Sequence, residues 1–234
     1  MHGAPLFSLL AAEATGVDLL FACVPACHAE RAKAASLNVQ VHPFHGDDLG
    51  TKDREQILQL LATMDVAVVG PGIAHTEESV RTVLDIIAEA TCTLVLDATA
   101  LQSNTLQKLQ GKPAILTPHL GELERMGLEE KELRHTAEES HATILLKGPT
   151  DRITGQDGTQ HAITGGNAGL TVGGTGDALA GLIAGLVAQG EDAALACIRA
   201  STVIKEAGNT LLETQGFAYT TTEIIARIPR LLAQ

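Results

Sequence analysis

The chain has 234 residues, of which 45% are hydrophobic but only 2% aromatic, so leucine, isoleucine, valine and alanine must supply most of the core. Its 28 acidic residues outnumber its 16 lysines and arginines, giving a net charge of -12. This charge, with few aromatic rings for base stacking, excludes a general nucleic-acid partner and an anionic membrane surface, although backbone dipoles can still hold an anionic small molecule.

Four cysteines are present, and only Cys23 and Cys27 lie close together in sequence. No second Cys/His pair has zinc-site spacing, which predicts buried, reduced thiols in a reducing compartment. The apolar runs are too short and interrupted to cross a bilayer, and the N-terminus lacks the basic-then-apolar order of a signal peptide. We therefore expect a cytoplasmic protein.

Short apolar runs alternate with amphipathic segments along most of the chain. The runs expected to form strands are residues 18–24, 39–44, 65–70, 92–98, 114–119 and 142–148. Helices are expected over residues 53–64 and 76–90, the second opening with Thr76 as N-cap. The alternation indicates an α/β fold whose mostly parallel central sheet has helices on both faces.

The last third of the chain has a different pattern. Two short extended pieces flank Gly155 and Gly158, which predicts a β-hairpin near residues 151–164. Two further helices are expected at about residues 192–214 and 222–232. Because no internal repeat or linker interrupts the sequence, we expect residues 1–234 to form a single domain.

Polar residues and glycines follow several of the predicted strands. Residues 70–72 (Gly-Pro-Gly) follow one strand, Asp97 a second, His119 a third and Lys147 a fourth. Since parallel α/β sheets bind ligands beyond the carboxyl ends of their strands, these residues are expected to share one rim. Each also has a purely structural interpretation: a strand-ending turn for the glycines, and an edge side chain that reaches solvent for Lys147.

His119 is followed three residues later by Glu122, at a predicted loop-to-helix junction. In the structural interpretation Glu122 caps the helix and His119 is an ordinary loop residue. In the functional interpretation both side chains face a substrate. The spacing alone favours the first.

A glycine-rich loop runs into a predicted helix at residues 173–177, Gly-Gly-Thr-Gly-Asp. Free N–H groups at such a helix start, with glycines that permit close approach, can hold a phosphate. Asp177, in the first helical turn, could then accept a proton from a hydroxyl that attacks phosphorus. The alternative is that Asp177 only favours the helix dipole. The loop is neither a Walker A loop nor the dinucleotide fingerprint.

The order of these segments resembles a known family. The segments VVGPG, LVLDATAL, TPHLGELERM, ILLKG and GNAGLTVGGTGDALAGLIAGLVAQG, with an early Gly-Ala-Pro at residues 3–5, are similar to those of ADP/ATP-dependent NAD(P)H-hydrate dehydratases. These form the carbohydrate-kinase-like module of the ribokinase-like superfamily. The resemblance covers essentially the whole chain and implies a ribokinase-like fold.

The resemblance implies a metabolite-repair reaction. A phosphoryl group from ADP or ATP activates the ring hydroxyl of the S epimer of hydrated NADH or NADPH (NADHX or NADPHX), phosphate leaves, and the nicotinamide double bond returns. Mg²⁺ is the implied metal, and a homo-oligomer, such as a tetramer, is the implied assembly. A chain of this length has no room for the fused epimerase domain of many members, so a separate epimerase is expected.

The resemblance also assigns residues. Asp177 is the implied base, and the backbone of Gly174, Thr175 and Gly176 is the implied anion hole. Substrate contacts are implied for Ala4, Gly72 and His119. Glu122 is the implied neighbour of the divalent cation. The adenine nucleotide is implied to contact Lys147, Gly148, Pro149, Thr150, Asp151, Asn167 and Gly176.

Two departures from the family pattern are visible. The chain begins at Met1-His2-Gly3, without the strand and glycine-rich turn that precede Gly-Ala-Pro in the family. Thr99 stands where the family often has a second aspartate after Asp97. The alternatives to a dehydratase are a small-molecule kinase, acting on a hydroxyethylthiazole- or hydroxymethylpyrimidine-like substrate, and a catalytically inactive nucleotide-binding paralogue.

Overall fold

The computed structural model of the protein describes residues 3–233. Met1 and His2 lie outside these residues. The prediction that the family's first strand is absent from the sequence concerns this part of the chain. The helices are α1 (Ala4–Glu13), α2 (Ala29–Ala35), α3 (Arg54–Leu61), α4 (Glu77–Glu89), α5 (Thr105–Leu109), α6 (Leu120–Arg125), α7 (Leu133–Ser140), α8 (Thr175–Ala188), α9 (Ala193–Gln215) and α10 (Thr221–Leu232). The strands are β1 (Leu20–Pro25), β2 (Val39–Phe44), β3 (Val66–Val69), β4 (Thr93–Leu96), β5 (Ala114–Leu116), β6 (Ala142–Leu146), β7 (Asp151–Thr154) and β8 (Gln160–Ile163).

Local sequence signals account for the helix starts. The hydroxyl of Thr76 accepts a hydrogen bond from the backbone N–H of Ser79 and begins α4, which confirms the predicted cap. Asp192 caps α9 in the same way. Thr220 and Glu223 form a capping box at the start of α10. Every strand and helix expected from the sequence is present, with ends shifted by at most three residues.

A six-stranded sheet holds the chain together, in the order β3-β4-β5-β6-β7-β8. The first four strands are parallel, and β7 and β8 form the predicted antiparallel hairpin. Strand β5 and strand β6 are buried along their whole length, as continuous apolar runs require. Both the α/β class and the mostly parallel sheet are therefore confirmed.

Helix α8 is the central packing element on one face. Gly181 lets α1 approach so closely that a Cβ at this position would lie 1.9 Å from the carbonyl oxygen of Ser8. Gly185 is similarly crowded, because a Cβ there would lie 2.5 Å from Thr15 Oγ1. The two glycines, four residues apart on one helix face, thus permit tight contact between α1 and α8.

The sheet is divided, which the sequence analysis did not predict. Strands β1 and β2 pair with each other in parallel but with no strand of the six-stranded sheet. An apolar cavity of about 260 Å³ lies between β1 and β3. No helix among the described residues is long and apolar enough to cross a membrane.

Candidate active site

The carboxyl ends of β3, β4, β5 and β6 converge, as the strand pattern predicts. Gly70 directly follows β3 and has a φ of 121°. A Cβ at this position would lie 1.8 Å from the carbonyl oxygen of Asp97. The backbone N–H of Lys147 donates to the carbonyl of Pro118 at 2.8 Å, joining the ends of β5 and β6. Only glycine permits the first of these contacts, so the rim depends on Gly70.

Lys147 is the electrostatic centre of this rim. Its Nζ lies 2.7 Å from Asp97 Oδ1 and 3.6 Å from Glu122 Oε2, and both carboxylates are almost fully buried. Burial lowers the pKa of Lys147, but the charges of Asp97 and Glu122 outweigh it, so the pKa stays above its ordinary value. The lysine is therefore charged and compensates two buried anions.

His119 and Glu122 have the structural role that their spacing predicts. The backbone N–H of Glu122 donates to His119 Nδ1 at 3.2 Å, and that of His119 donates to Glu122 Oε2 at 2.9 Å. This capping box begins α6. It leaves the His119 ring 56% exposed at the rim, so the cap and a substrate contact are compatible.

The glycine-rich loop brings the start of α8 to the same rim. Gly174 has φ of 101°, and a Cβ there would lie 2.4 Å from the Phe7 ring. Both the backbone conformation and the lack of space therefore require glycine. A Cβ on Gly176 would lie 3.3 Å from Lys147 Nζ. Thr221 Oγ1 donates to the carbonyl of Gly173 at 2.9 Å and fixes the loop from α10. The N–H groups of the first turn of α8 therefore open beside Lys147.

Asp177 is in the first turn of α8, half-buried. Its pKa is raised from 3.8 to about 6, chiefly by burial and next by the charge of Asp97, while Lys147 opposes the shift and Glu122 adds a smaller upward effect. The hydroxyl of Ser8 donates to the carbonyl of Asp177 at 2.8 Å, which ties this turn to α1. A carboxylate whose pKa approaches neutrality, beside free N–H groups and a lysine, is suited to proton transfer.

A second cluster holds the turn between β6 and β7. Asp151 Oδ1 accepts from the backbone N–H of Gly148 at 2.9 Å, and Asp151 Oδ2 accepts from Ser201 Oγ at 2.5 Å. Lys205 Nζ donates to the carbonyl of Pro149 at 3.1 Å and lies 3.4 Å from Asp151 Oδ2. Both Asp151 and Lys205 are buried. The predicted nucleotide segment is thus fixed by α9.

Asn167 lies at the start of the glycine-rich segment and is held by Tyr219, two residues before the start of α10. Its side-chain oxygen accepts from the backbone N–H of Gly169 at 3.0 Å and from the hydroxyl of Tyr219 at 2.6 Å. Tyr219 is 3% exposed and packs where a Cβ on Gly169 would otherwise lie. These contacts orient Asn167.

Ala4 and Gly72 are the remaining predicted residues, and they lie at the start of α1 and in the loop after β3. Ala4 is buried in the first turn of α1, and Gly72 follows Gly70 with φ of 76°. Thr99, which departs from the family pattern, donates its hydroxyl to the carbonyl of Ile73 at 2.7 Å. Thr99 therefore links the ends of β3 and β4, a task that a second charged aspartate would perform less readily in a buried position.

The sequence analysis missed Ser8, Ser201, Lys205 and Tyr219. A signal was present for Lys205 and Ser201, because they are four residues apart on an otherwise apolar face of a predicted helix. Tyr219 is the single tyrosine in the chain. No local pattern distinguishes Ser8, whose partner is 169 residues away.

The fit of a magnesium ion to these side chains is limited. Among residues 3–233, no group of three or more His, Cys, Asp or Glu side chains could hold a metal ion. Glu122 Oε2 already accepts from His119 N–H and faces Lys147. In nucleotide sites Mg²⁺ takes one or two carboxylates and completes its shell with phosphates and waters. Glu122 can therefore supply one carboxylate ligand to Mg²⁺, but the described side chains do not form a complete metal site.

A family model described as NAD(P)H-hydrate dehydratase matches residues 1–230. The chain belongs to the NAD(P)H-hydrate dehydratase family. The ADP-dependent (S)-NAD(P)H-hydrate dehydratase of Cenarchaeum symbiosum is 32% identical over 99% of this chain and 84% of its own length. The bifunctional NAD(P)H-hydrate repair enzyme Nnr of Archaeoglobus fulgidus is 32% identical over 98% of this chain, which spans 48% of that enzyme.

A solved structure has the same fold. The ADP/ATP-dependent NAD(P)H-hydrate dehydratase of Bacillus subtilis, co-crystallised with ATP and Mg²⁺, superimposes with a TM-score of 0.80 at 24% identity. The match covers 100% of this chain and 85% of that one. This confirms the ribokinase-like fold that the resemblance implied.

Replacement of Lys147 by methionine should destabilise the protein. It would leave Asp97 buried without a cation, and breaking a buried pair in this way costs about 3–5 kcal/mol of unfolding free energy. Chemical denaturation would measure the loss, and the double variant Lys147→Met/Asp97→Asn should recover part of it, because Glu122 remains buried without its cation. As a control, Lys131→Met removes an exposed Lys–Glu pair and should change the stability by about 1 kcal/mol or less. A Lys147→Met variant as stable as the parent would contradict the role given to Lys147.

Proposed function

We propose that this protein catalyses the nucleotide-dependent dehydration of the S form of hydrated NADH or NADPH. The observation that carries the proposal is Asp177, whose pKa of about 6 places a base at the start of α8, beside the buried Lys147 cluster. Support comes from the family and from the Cenarchaeum symbiosum relative, whose name specifies ADP and the S substrate.

The chemistry divides into two balanced steps. Asp177 accepts the proton of the ring hydroxyl while the hydroxyl oxygen bonds to the terminal phosphorus of the nucleotide, and the P–O bond to the leaving nucleotide breaks. Phosphate then departs with the electrons of the C–O bond, and the adjacent ring carbon loses a proton to form the double bond. With ADP as donor, the products are NAD(P)H, AMP and phosphate, so the net change in the substrate is loss of water.

The backbone of Gly174, Thr175 and Gly176 is proposed to bind the transferred phosphoryl group. These residues begin α8, where N–H groups have no intrahelical partner and the dipole favours an anion. Lys147 lies next to Gly176 but is already paired with Asp97. We therefore assign Lys147 to electrostatic compensation of the site, with any phosphate contact secondary to that.

The adenine nucleotide is proposed to lie along residues 148–151 and Asn167. The turn formed by Gly148, Pro149 and Thr150 is fixed from below by Asp151, so its outer side can receive a ligand without rearrangement. Gly148 and Pro149 are exposed, whereas the anchoring side chains are buried. Ala4, Gly72 and His119 are proposed to contact the hydrated dinucleotide on the opposite side.

Mg²⁺ is proposed to accompany the nucleotide, as in the Bacillus subtilis structure co-crystallised with ATP and Mg²⁺. The ion would supply charge neutralisation of the phosphates, with Glu122 as the carboxylate of this chain closest to that role. Some relatives are named as bifunctional repair enzymes, and we further propose that a separate epimerase supplies the S form to this protein. A homo-oligomer in the cytoplasm is the proposed working form.

The function is tested by a coupled absorbance assay with NADHX or NADPHX, Mg²⁺, and ADP or ATP. We expect recovery of NAD(P)H absorbance that requires the nucleotide, with phosphate released in equal amount. A phosphorylated product that accumulates without elimination would instead identify a small-molecule kinase. Nucleotide binding in a thermal-shift assay without turnover would indicate an inactive paralogue, and either result would overturn the proposal.

Asp177→Asn should abolish turnover and yet stabilise the fold above neutral pH. Because the folded-state pKa is raised from 3.8 to about 6, the carboxyl favours folding while it is protonated, below about pH 4, and this stability is lost as the pH rises through 6. Asparagine is always neutral, so the melting temperature of the variant should exceed that of the parent at pH 8 and equal it near pH 4. The parent should lose activity about tenfold per pH unit below pH 6. Near-normal turnover by the variant would show that Asp177 is not the base.

Lys205→Met should weaken nucleotide binding while leaving the chemical step largely intact. Loss of charge-assisted hydrogen bonds to the nucleotide turn, worth about 1.5–3 kcal/mol, predicts a KM for ADP raised roughly tenfold or more. Steady-state kinetics would separate this from kcat. Lys205→Arg should recover part of the affinity, and Glu206→Gln, at the exposed neighbouring position, should change neither constant. An unchanged KM in a folded Lys205→Met protein would contradict the positioning role.

A further inference from the structure

Two buried side chains at the start of α10 support both ends of the glycine-rich segment, residues 167–174. The hydroxyl of Tyr219 donates to the side-chain oxygen of Asn167 at 2.6 Å, at the beginning of the segment. Two residues later, Thr221 Oγ1 donates to the carbonyl of Gly173 at 2.9 Å, near its end. Tyr219 is 3% exposed and Thr221 is 2% exposed. The segment that leads into α8 is therefore held by residues that follow it by about fifty positions in the sequence.

The partners of Asn167 determine how its side-chain amide is oriented. The backbone N–H of Gly169 lies 3.0 Å from the amide, and because a backbone N–H only donates, the atom it meets must be the oxygen. Tyr219 contacts the same oxygen, so its hydroxyl is a donor too. Burial raises the pKa of Tyr219 more than the bond to Asn167 lowers it, so the hydroxyl keeps its proton at neutral pH. The amide nitrogen, Nδ2, therefore points away from Tyr219.

Nδ2 of Asn167 has donor capacity that the described residues use only in part. The nitrogen carries two hydrogens, and Asn209 Oδ1, at 3.4 Å, is its one acceptor among residues 3–233. That distance is long for an N–H···O hydrogen bond. The Asn167 side chain is half-buried, so the remaining N–H is accessible to an acceptor on a ligand.

Asn167 connects the two parts of the structure that are proposed to bind the nucleotide. Its neighbour Gly166 packs closely on α9, because a Cβ there would lie 3.2 Å from Lys205 Cγ. Nζ of the same lysine donates to the carbonyl of Pro149 in the turn after β6. In the other direction, Asn167 begins the segment that ends at the first turn of α8. An amide donor between this turn and a helix start that favours anions is suited to a phosphate oxygen.

We infer that Tyr219 is a positioning residue for the nucleotide. Its hydroxyl holds the Asn167 amide in the orientation that presents Nδ2 to a phosphate oxygen, and Tyr219 itself does not contact the nucleotide. This inference rests on the nucleotide binding of the proposed function. The competing interpretation is that Tyr219 only fills the space beside Gly169, where a Cβ would lie 2.5 Å from the tyrosine hydroxyl oxygen. The two interpretations differ in what removal of the hydroxyl does to phosphate recognition.

Tyr219→Phe tests the inference, because it keeps the ring and removes only the hydrogen-bond donor. Calorimetric titration of the full chain measures the Kd for ADP and for adenosine, which has no phosphate. We expect the Kd for ADP to rise about threefold to tenfold, the effect of one hydrogen bond, and the Kd for adenosine to stay within about twofold. As a control, Thr214→Val removes a hydroxyl that donates to carbonyls within α9, and it should change neither Kd.

A double variant tests whether Tyr219 acts through Asn167. Asn167→Ala should weaken ADP binding at least as much as Tyr219→Phe does, because it removes the donor that meets the phosphate. When Tyr219→Phe is added to Asn167→Ala, the Kd for ADP should not change further, since the hydroxyl then has no amide to orient.

Four results would overturn the inference. The first is unchanged ADP affinity in a folded Tyr219→Phe protein, and the second is an equal loss of ADP and adenosine affinity, which would show that Tyr219 only packs the segment. The third is a loss that persists in the Asn167→Ala background, and the fourth is a parent protein that does not bind ADP. Failure of the proposed function is read separately, because a small-molecule kinase or an inactive paralogue would still bind the nucleotide while producing no NAD(P)H.

Discussion

The candidate active site depends on one buried cation. Lys147, Asp97 and Glu122 come from three different strand ends or the helices that follow them, and each carboxylate would be expensive to bury alone. The ammonium holds these elements together and still leaves net negative charge at the rim. Burial is the main cause of the raised pKa of Asp177, the charge of Asp97 adds to it and Lys147 opposes it, so the cluster that stabilises the rim also modulates the basicity of the proposed base.

The raised pKa of Asp177 in the candidate active site lowers the stability of the fold at neutral pH, and the packing around this residue offsets that loss. A carboxylate with a raised pKa disfavours the folded state at neutral pH. Asp177 is nevertheless held in place because α8 packs so closely on α1 that Gly181 can carry no side chain. The apolar packing of α8 along its whole length therefore supports an electrostatically unfavourable first turn, as is common where activity and stability compete.

Most of the fold could be predicted because it follows from local periodicity and composition. The apolar runs allowed β3 to β6 and the hairpin to be predicted, and Thr76 predicted the start of α4. The convergence of Asp97, His119 and Lys147 followed from strand order in parallel sheets. The partners of Lys147 could not be predicted, because a lysine after an apolar strand has the same local pattern whether it contacts phosphate or pairs with Asp97. The division of the sheet was also unpredictable, because each of β1 and β3 is locally an ordinary buried strand.

The apolar cavity between β1 and β3 and the candidate active site are both bounded by α1. Ser8 lines the cavity, donates its hydroxyl to the carbonyl of Asp177, and contacts α8 at Gly181 through its own carbonyl. Gly70 and Pro71 also line the cavity, immediately before the proposed substrate contact at Gly72. Helices α1 and α8 both line the cavity, and they pack so closely at Gly181 that the position of α1 is coupled to that of the turn that carries Asp177.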